Sequence, residues 1–163
     1  MRETFASLPL ALALLGLPPQ LSAAGDTIRI TIKGGDLAAP IEIADREVVA
    51  AFSVWSGPGT STNEAQGLIV DWSRGVAEPP KGPRVYEVSF HTTRRDPGTY
   101  VVSYLIDPST NKGYVYLPGK QDAGYRDNVW LIYRGVEGRW FHAWSAWEKV
   151  AHPLIAKGRK THQ

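Results

Sequence analysis

Residues 85–117 carry three runs of alternating apolar and polar positions, separated by two turn-rich segments, and this pattern predicts an antiparallel β-meander. Tyr86, Val88 and Phe90 fall on one side of the first run. Tyr100, Val102, Tyr104 and Ile106 share a side of the second, and Tyr114 and Tyr116 a side of the third. Most of the aromatic rings are thereby expected on one face, with Val85, Val101, Leu105, Val115 and Leu117 on the other. Both faces carry groups that favour burial, so either both are covered or the aromatic face stays open to a ligand.

The same reading extends to both sides of the meander. Ile28, Ile30 and Ile32 alternate with Thr27, Arg29, Thr31 and Lys33, the pattern of a half-buried strand, and Gly34, Gly35 and Asp36 turn the chain. Ile41 and Ile43 form a short second strand that pairs with the first, and Asp45 is placed to cap a helix through Phe52, with Val48 and Phe52 inward. Residues 56–61 are a glycine-dense turn without the following lysine that a phosphate-cradling loop requires. Leu68, Ile69 and Val70, with Asp71 and Trp72, read as a strand ending at residues 73–75, and the prolines of residues 78–83 as an extended linker.

Beyond the meander, Pro118 and Gly119 open a polar loop through Asn128, and residues 129–133 read as the last strand. Trp144, Trp147 and Ala151 then recur at helical spacing, predicting an amphipathic helix from about Phe141 to His152. His142, Ser145, Lys149 and His152 lie on its other side, and Pro153 should kink or end it. The expected fold is mainly β: an antiparallel β-sandwich or meander-based sheet with a short helix near Asp45 and a C-terminal amphipathic helix. The alternative is an α+β open sheet covered by that helix.

The first 24 residues change the picture of where this domain resides. Arg2, the apolar run of residues 5–17 and the small residues Ser22 and Ala24 have the layout of a secretory signal peptide cut after Ala24. The run is short for a bilayer crossing, so no membrane span is expected, and the mature protein is placed as secreted or periplasmic. Residues 25–157 then form a single β-rich domain and residues 158–163, with Arg159 and Lys160, a flexible basic tail.

Absence of cysteine excludes disulfides, thiolate ligands and a cysteine nucleophile, leaving packing to hold the domain. A formal net charge of +2 gives no argument for nucleic acid, and no cofactor or metal is expected.

Candidate chemistry is sparse. His91, His142, His152 and His162 stand in no recognised motif. Glu148 and His152, four apart, have the spacing of a helix-stabilising pair, without a third residue to make a metal site. Ser145 and Lys149 share that spacing, but no burial argument lowers the lysine pKa for a serine–lysine hydrolase. Asp71, Glu87, Asp96, Asp107, Asp122 and Asp127 are the carboxylates available for glycoside hydrolysis, and sequence spacing pairs none of them. Six tryptophans and seven tyrosines are the more informative inventory, since such rings serve cores and also sugar or peptide platforms.

The opening strands and turn of residues 27–45, the Ser53-Val54-Trp55-Ser56-Gly57-Pro58-Gly59-Thr60 loop and the aromatic segment of residues 140–147 together resemble uncharacterised exported bacterial proteins. That resemblance implies export and a shared fold, with no activity attached. The functional expectation is a cell-envelope binding or interaction module for an unknown ligand or protein, with Tyr86, Tyr100, Tyr104, Tyr114, Tyr116 and Trp55 as candidate ligand-binding residues. The alternative is a hydrolase of an envelope polymer acting through carboxylates, with His91 or His142 as an accessory group.

Overall fold

Alternation of apolar and polar side chains is realised in one antiparallel sheet. A computed structural model describes residues 26–58, 66–81, 84–93, 99–123, 125, 128 and 135–159. The segment expected to be a signal peptide, the strand expected at residues 129–133, Asp96, Asp127, His162 and residues 160–163 lie outside the described residues. In chain order the elements are β1 (Thr27–Gly34), β2 (Ile41–Ile43), α1 (Arg46–Ala50), β3 (Gln66–Gly67), β4 (Val70–Asp71), β5 (Val85–Thr92), β6 (Thr99–Ile106), β7 (Gly113–Leu117), β8 (Arg139–His142) and α2 (Ser145–Gly158).

Among the described residues six strands form the sheet, in the order β2-β1-β5-β6-β7-β8, and β3 pairs with β4 in a separate hairpin. The meander of β5, β6 and β7 is its centre. Of the expected arrangements, the meander-based sheet with a short helix after Asp45 and a C-terminal helix is the one present.

The core lies on one face of this sheet. Register places Ile30 opposite Phe90 and Ile32 opposite Val88, then Phe90 opposite Tyr100, Val88 opposite Val102 and Tyr86 opposite Tyr104. Tyr104 faces Val115, which in turn faces Phe141, and all of these side chains are buried. α2 covers them with Trp147, Ala151 and Ile155, each fully buried. The Trp147 ring meets Phe52 edge-on at 5.2 Å and Tyr104 at 5.9 Å, an arrangement that suits the charge distribution of aromatic rings. Gly113 permits the close approach of this layer: a side chain there would come within 2.8 Å of the Ala143 methyl.

Register also corrects the expected faces. Tyr114 and Tyr116 stand opposite Leu105 and Ser103, so they project from the outer face, while Val115 and Leu117 point inward and are buried. Since side chains alternate along a strand, an offset of one residue exchanges every side chain of β7 between faces.

Four local expectations also change. α1 is capped as expected, the Asp45 carboxylate accepting from the Glu47 and Val48 N–H groups, but Val49 rather than Val48 is buried beside Phe52. Leu68 and Ile69 sit at the turn of the β3–β4 hairpin rather than in a strand, and Trp72 begins a 3-10 turn. Trp140, Phe141 and His142 belong to β8, so α2 starts only at Ser145. It continues past Pro153 to Gly158, because burial of Ile155 outweighs the lost backbone hydrogen bond.

The tail expected from residue 158 is held at its first two positions. The Gly158 carbonyl accepts from the Ala38 N–H, Arg159 bridges to Leu37, and its Nε lies 3.2 Å from the Asp36 carboxylate. Asp36 also accepts from the Tyr86 hydroxyl at 2.6 Å and pairs with Arg84 at 2.9 Å. Burial alone would raise the Asp36 pKa, but the Tyr86 hydrogen bond and the two guanidinium groups hold it below the usual carboxylate value.

Candidate functional site

Cross-strand register builds a continuous row across the outer face. Lys33 stands opposite Glu87, Glu87 opposite Ser103, Ser103 opposite Tyr116, and Tyr116 opposite Trp140. Lys33 and Glu87 form an ion pair at 2.9 Å, and the rings of Tyr116 and Trp140 are 5.2 Å apart and tilted by 42°. A parallel row ends in Tyr114 and His142, whose rings are 5.4 Å apart. Both aromatic pairs are half-buried, leaving part of each ring at the surface.

The loop after β7 returns over this face and makes one wall. The Asp122 carboxylate accepts from the Tyr116 hydroxyl at 2.8 Å and from the Gly119 N–H at 2.5 Å. Burial, reinforced by the hydrogen bond and negative charge of Asp122, raises the Tyr116 pKa, so its hydroxyl stays protonated and donating. Further along, the buried Asn128 amide meets both backbone groups of Val101, accepting from its N–H at 3.1 Å and donating to its carbonyl at 3.0 Å. Asn128 thus completes the hydrogen bonds of β6 as a neighbouring strand would.

Between wall and sheet lies a recess of about 670 Å³, with Lys33, Glu87, Ser103, Tyr116, Asp122 and Asn128 among its lining residues. A second recess of about 340 Å³, lined by Lys120 and Glu137, shares Tyr116 and Asp122 with it, so the two adjoin. Another cavity, about 470 Å³, lies beside β1 and α1 with Asp26 and Arg46 in its lining and no aromatic ring.

The candidate ligand-binding residues therefore separate. Tyr114 and Tyr116 are on the outer face, with Tyr116 at the centre of the groove. Tyr86, Tyr100 and Tyr104 are buried in the core and present no open platform, although Tyr86 borders the recess. Burial pushes the Tyr100 and Tyr104 pKa values up strongly, and the Tyr104 hydroxyl is hydrogen-bonded to His152 Nε2 at 2.7 Å. His152 consequently faces the core rather than the solvent side of α2, and burial lowers its pKa. Trp55 is half-buried against the core, away from the groove lining. Trp140, opposite Tyr116, escaped the sequence reading because the helical spacing of later tryptophans masked a four-residue strand.

The expected hydrolytic groups are dispersed. Asp71 caps the turn at Ser73, and Asp107 accepts from Ser109 and Thr110, hydrogen bonds that lower its pKa. His91 lies between Thr31 and Thr99 on the outer face but outside the groove lining, and His142 stacks on Tyr114; burial lowers the pKa of each. Glu148 accepts from the Gly113 N–H at 2.6 Å, so its helix position anchors β7. Among the described residues, Glu87 and Asp122 are the two of the carboxylates considered that line the same recess. Among the described residues no three acidic or histidine side chains are placed to hold a metal ion, and no helix is long and apolar enough to cross a membrane.

Comparison of the chain with protein-family models, curated proteins and solved structures returns no match. The fold and groove define it as a six-stranded antiparallel sheet protein with one face buried by helices and an aromatic, polar recess on the other.

Proposed function

We propose that the protein is an exported cell-envelope binding module whose ligand lies in the outer-face groove over Tyr116. The observation that carries this reading is the recess of about 670 Å³ in which an aromatic ring is flanked by carboxylates, an amine and a hydroxyl. Apolar surface with a few converging polar groups is the usual make-up of a ligand site. Export rests on the charged, apolar and small-residue layout of residues 2–24.

A thermal-shift screen of glycans, peptides, lipids and metal ions tests this, because a ligand that binds only the native state stabilises it by mass action. The expected result is one class that raises the melting temperature of the wild type and not of Tyr116→Ala. A ligand that stabilises both equally, or no shift from any class, would overturn it.

A hydrolase of an envelope polymer is the second reading, favoured by the presence of both Glu87 and Asp122 at one recess. Both carboxylates already accept hydrogen bonds, Glu87 from Ser89 and Asp122 from Tyr116 and Gly119, which suits holding a ligand better than cycling a proton. Release of new reducing ends from a bound polymer, abolished in Glu87→Gln, would favour hydrolysis over binding.

A further inference from the structure

We infer that the groove takes a neutral polysaccharide chain, laid across the strands with one sugar ring over Tyr116. This inference rests on the binding-module reading and names its ligand class.

The floor of the groove favours a sugar over a peptide. β5 and β7 bond strands on both sides, and at Val101, where β6 runs beyond β7, the Asn128 amide already takes up both backbone groups, so an extended peptide finds no free edge there to join. Its own N–H and C=O groups would be left without the main-chain partners that give such complexes their affinity. What the floor does offer is side chains: an aromatic ring at Tyr116, a hydroxyl at Ser103 and a carboxylate at Glu87. Sugar rings carry apolar C–H faces that lie against aromatic rings, and a rim of hydroxyls that donate to carboxylates.

Charge selects a neutral chain. Glu87, Asp122 and Glu137 line the two adjoining recesses, against Lys33 and Lys120, and Lys33 is paired with Glu87. An acidic polymer would meet like charges, whereas uncharged hydroxyls find acceptors. The lining from Lys33 to Tyr116 crosses four strands, about 14 Å at the usual spacing, which calls for a chain rather than a single sugar.

Calorimetric titration of the mature protein with cellohexaose, chitohexaose and maltohexaose tests the inference, with polygalacturonate and hexaalanine as acidic and peptide probes. At least one neutral saccharide should bind, and Tyr116→Ala and Asp122→Asn should each weaken it at least about tenfold. Arg29→Ala, on β1 outside the groove, should bind as the wild type does. Asp122→Asn keeps the size of the side chain, so a loss confined to Tyr116→Ala and accompanied by a lower melting temperature would signal a folding defect and overturn the inference. Binding of polygalacturonate or hexaalanine alone, with the same dependence on Tyr116, would overturn the neutral-glycan inference and leave the binding-module reading standing. Saccharide binding unchanged in both variants would place the ligand elsewhere and overturn both, whereas binding by none of the probes would overturn the neutral-glycan inference alone.

Discussion

The two faces of the sheet are made by the same strands and differ in what their tyrosines do. On the inner face Tyr86, Tyr100 and Tyr104 are wholly enclosed, and the hydroxyls of Tyr86 and Tyr104 are tied to Asp36 and His152. On the outer face Tyr114 and Tyr116 are half-buried, stacked on His142 and Trp140, and Tyr116 borders an open recess. An identical residue type therefore holds the fold together on one side and lines a groove on the other, according to the parity of its position in the strand.

The sharpest way to break this contrast is to remove a tryptophan from each face. Trp147→Ala should cost about 3 to 5 kcal/mol, because a buried ring leaves a cavity that its neighbours fill only partly. Trp147→Phe should cost less, since the indole N–H has no acceptor among the described residues and its removal leaves no polar group stranded. Trp140→Ala, on the outer face, should cost no more than about 1 kcal/mol. Urea denaturation followed by circular dichroism measures all three, and equal losses for Trp147→Ala and Trp140→Ala would mean that the outer face is part of the core.

Next in size is the junction that fastens the end of α2 to the sheet. Asp36→Ala removes the acceptor of Tyr86 and the partner of Arg84 and Arg159, and should cost about 1 to 2 kcal/mol by chemical denaturation. Because the folded Asp36 pKa lies below 3.8, its contribution is present above that pH and is lost as the pH falls through the folded value. The acid limb of the wild type should therefore be steeper than that of the variant.

Acidification also distinguishes the faces through histidine. Burial lowers the folded pKa of His152 below the ordinary 6.5, so the unfolded chain takes up its proton first. Stability is full above about 6.5 and falls as the pH drops from there toward the folded value. His152→Gln should flatten the change in melting temperature between about pH 7 and 5 more than His142→Gln does, since His152 is bonded to a core tyrosine and His142 stacks on an outer one. A larger effect from His142 would contradict this division. The smallest effect is expected from the exposed Lys149→Ala, within about 0.5 kcal/mol of the wild type in the same denaturation experiment.

Local pattern made the strands and the cap legible. The isoleucines of β1, the alternation in β5 and β6, and the Asp45 cap are each written within a few residues, so they can be read without knowing the distant strands they pair with. The absence of cysteine, likewise, assigns the work of stabilisation to packing alone.

What period two cannot specify is which side of each strand meets which side of the next. That depends on register across turns: Tyr104 faces Val115 and not a tyrosine, so the rings of β7 left the core for the outer face. Tertiary packing likewise set the boundary of the closing helix. Backbone pairing with β7 holds Trp140 and His142 in a strand, while buried Ile155 carries the helix past Pro153. The groove was least legible of all, since Asp122, Glu87 and Lys33 have no common sequence spacing and meet only where the loop after β7 folds back over the sheet.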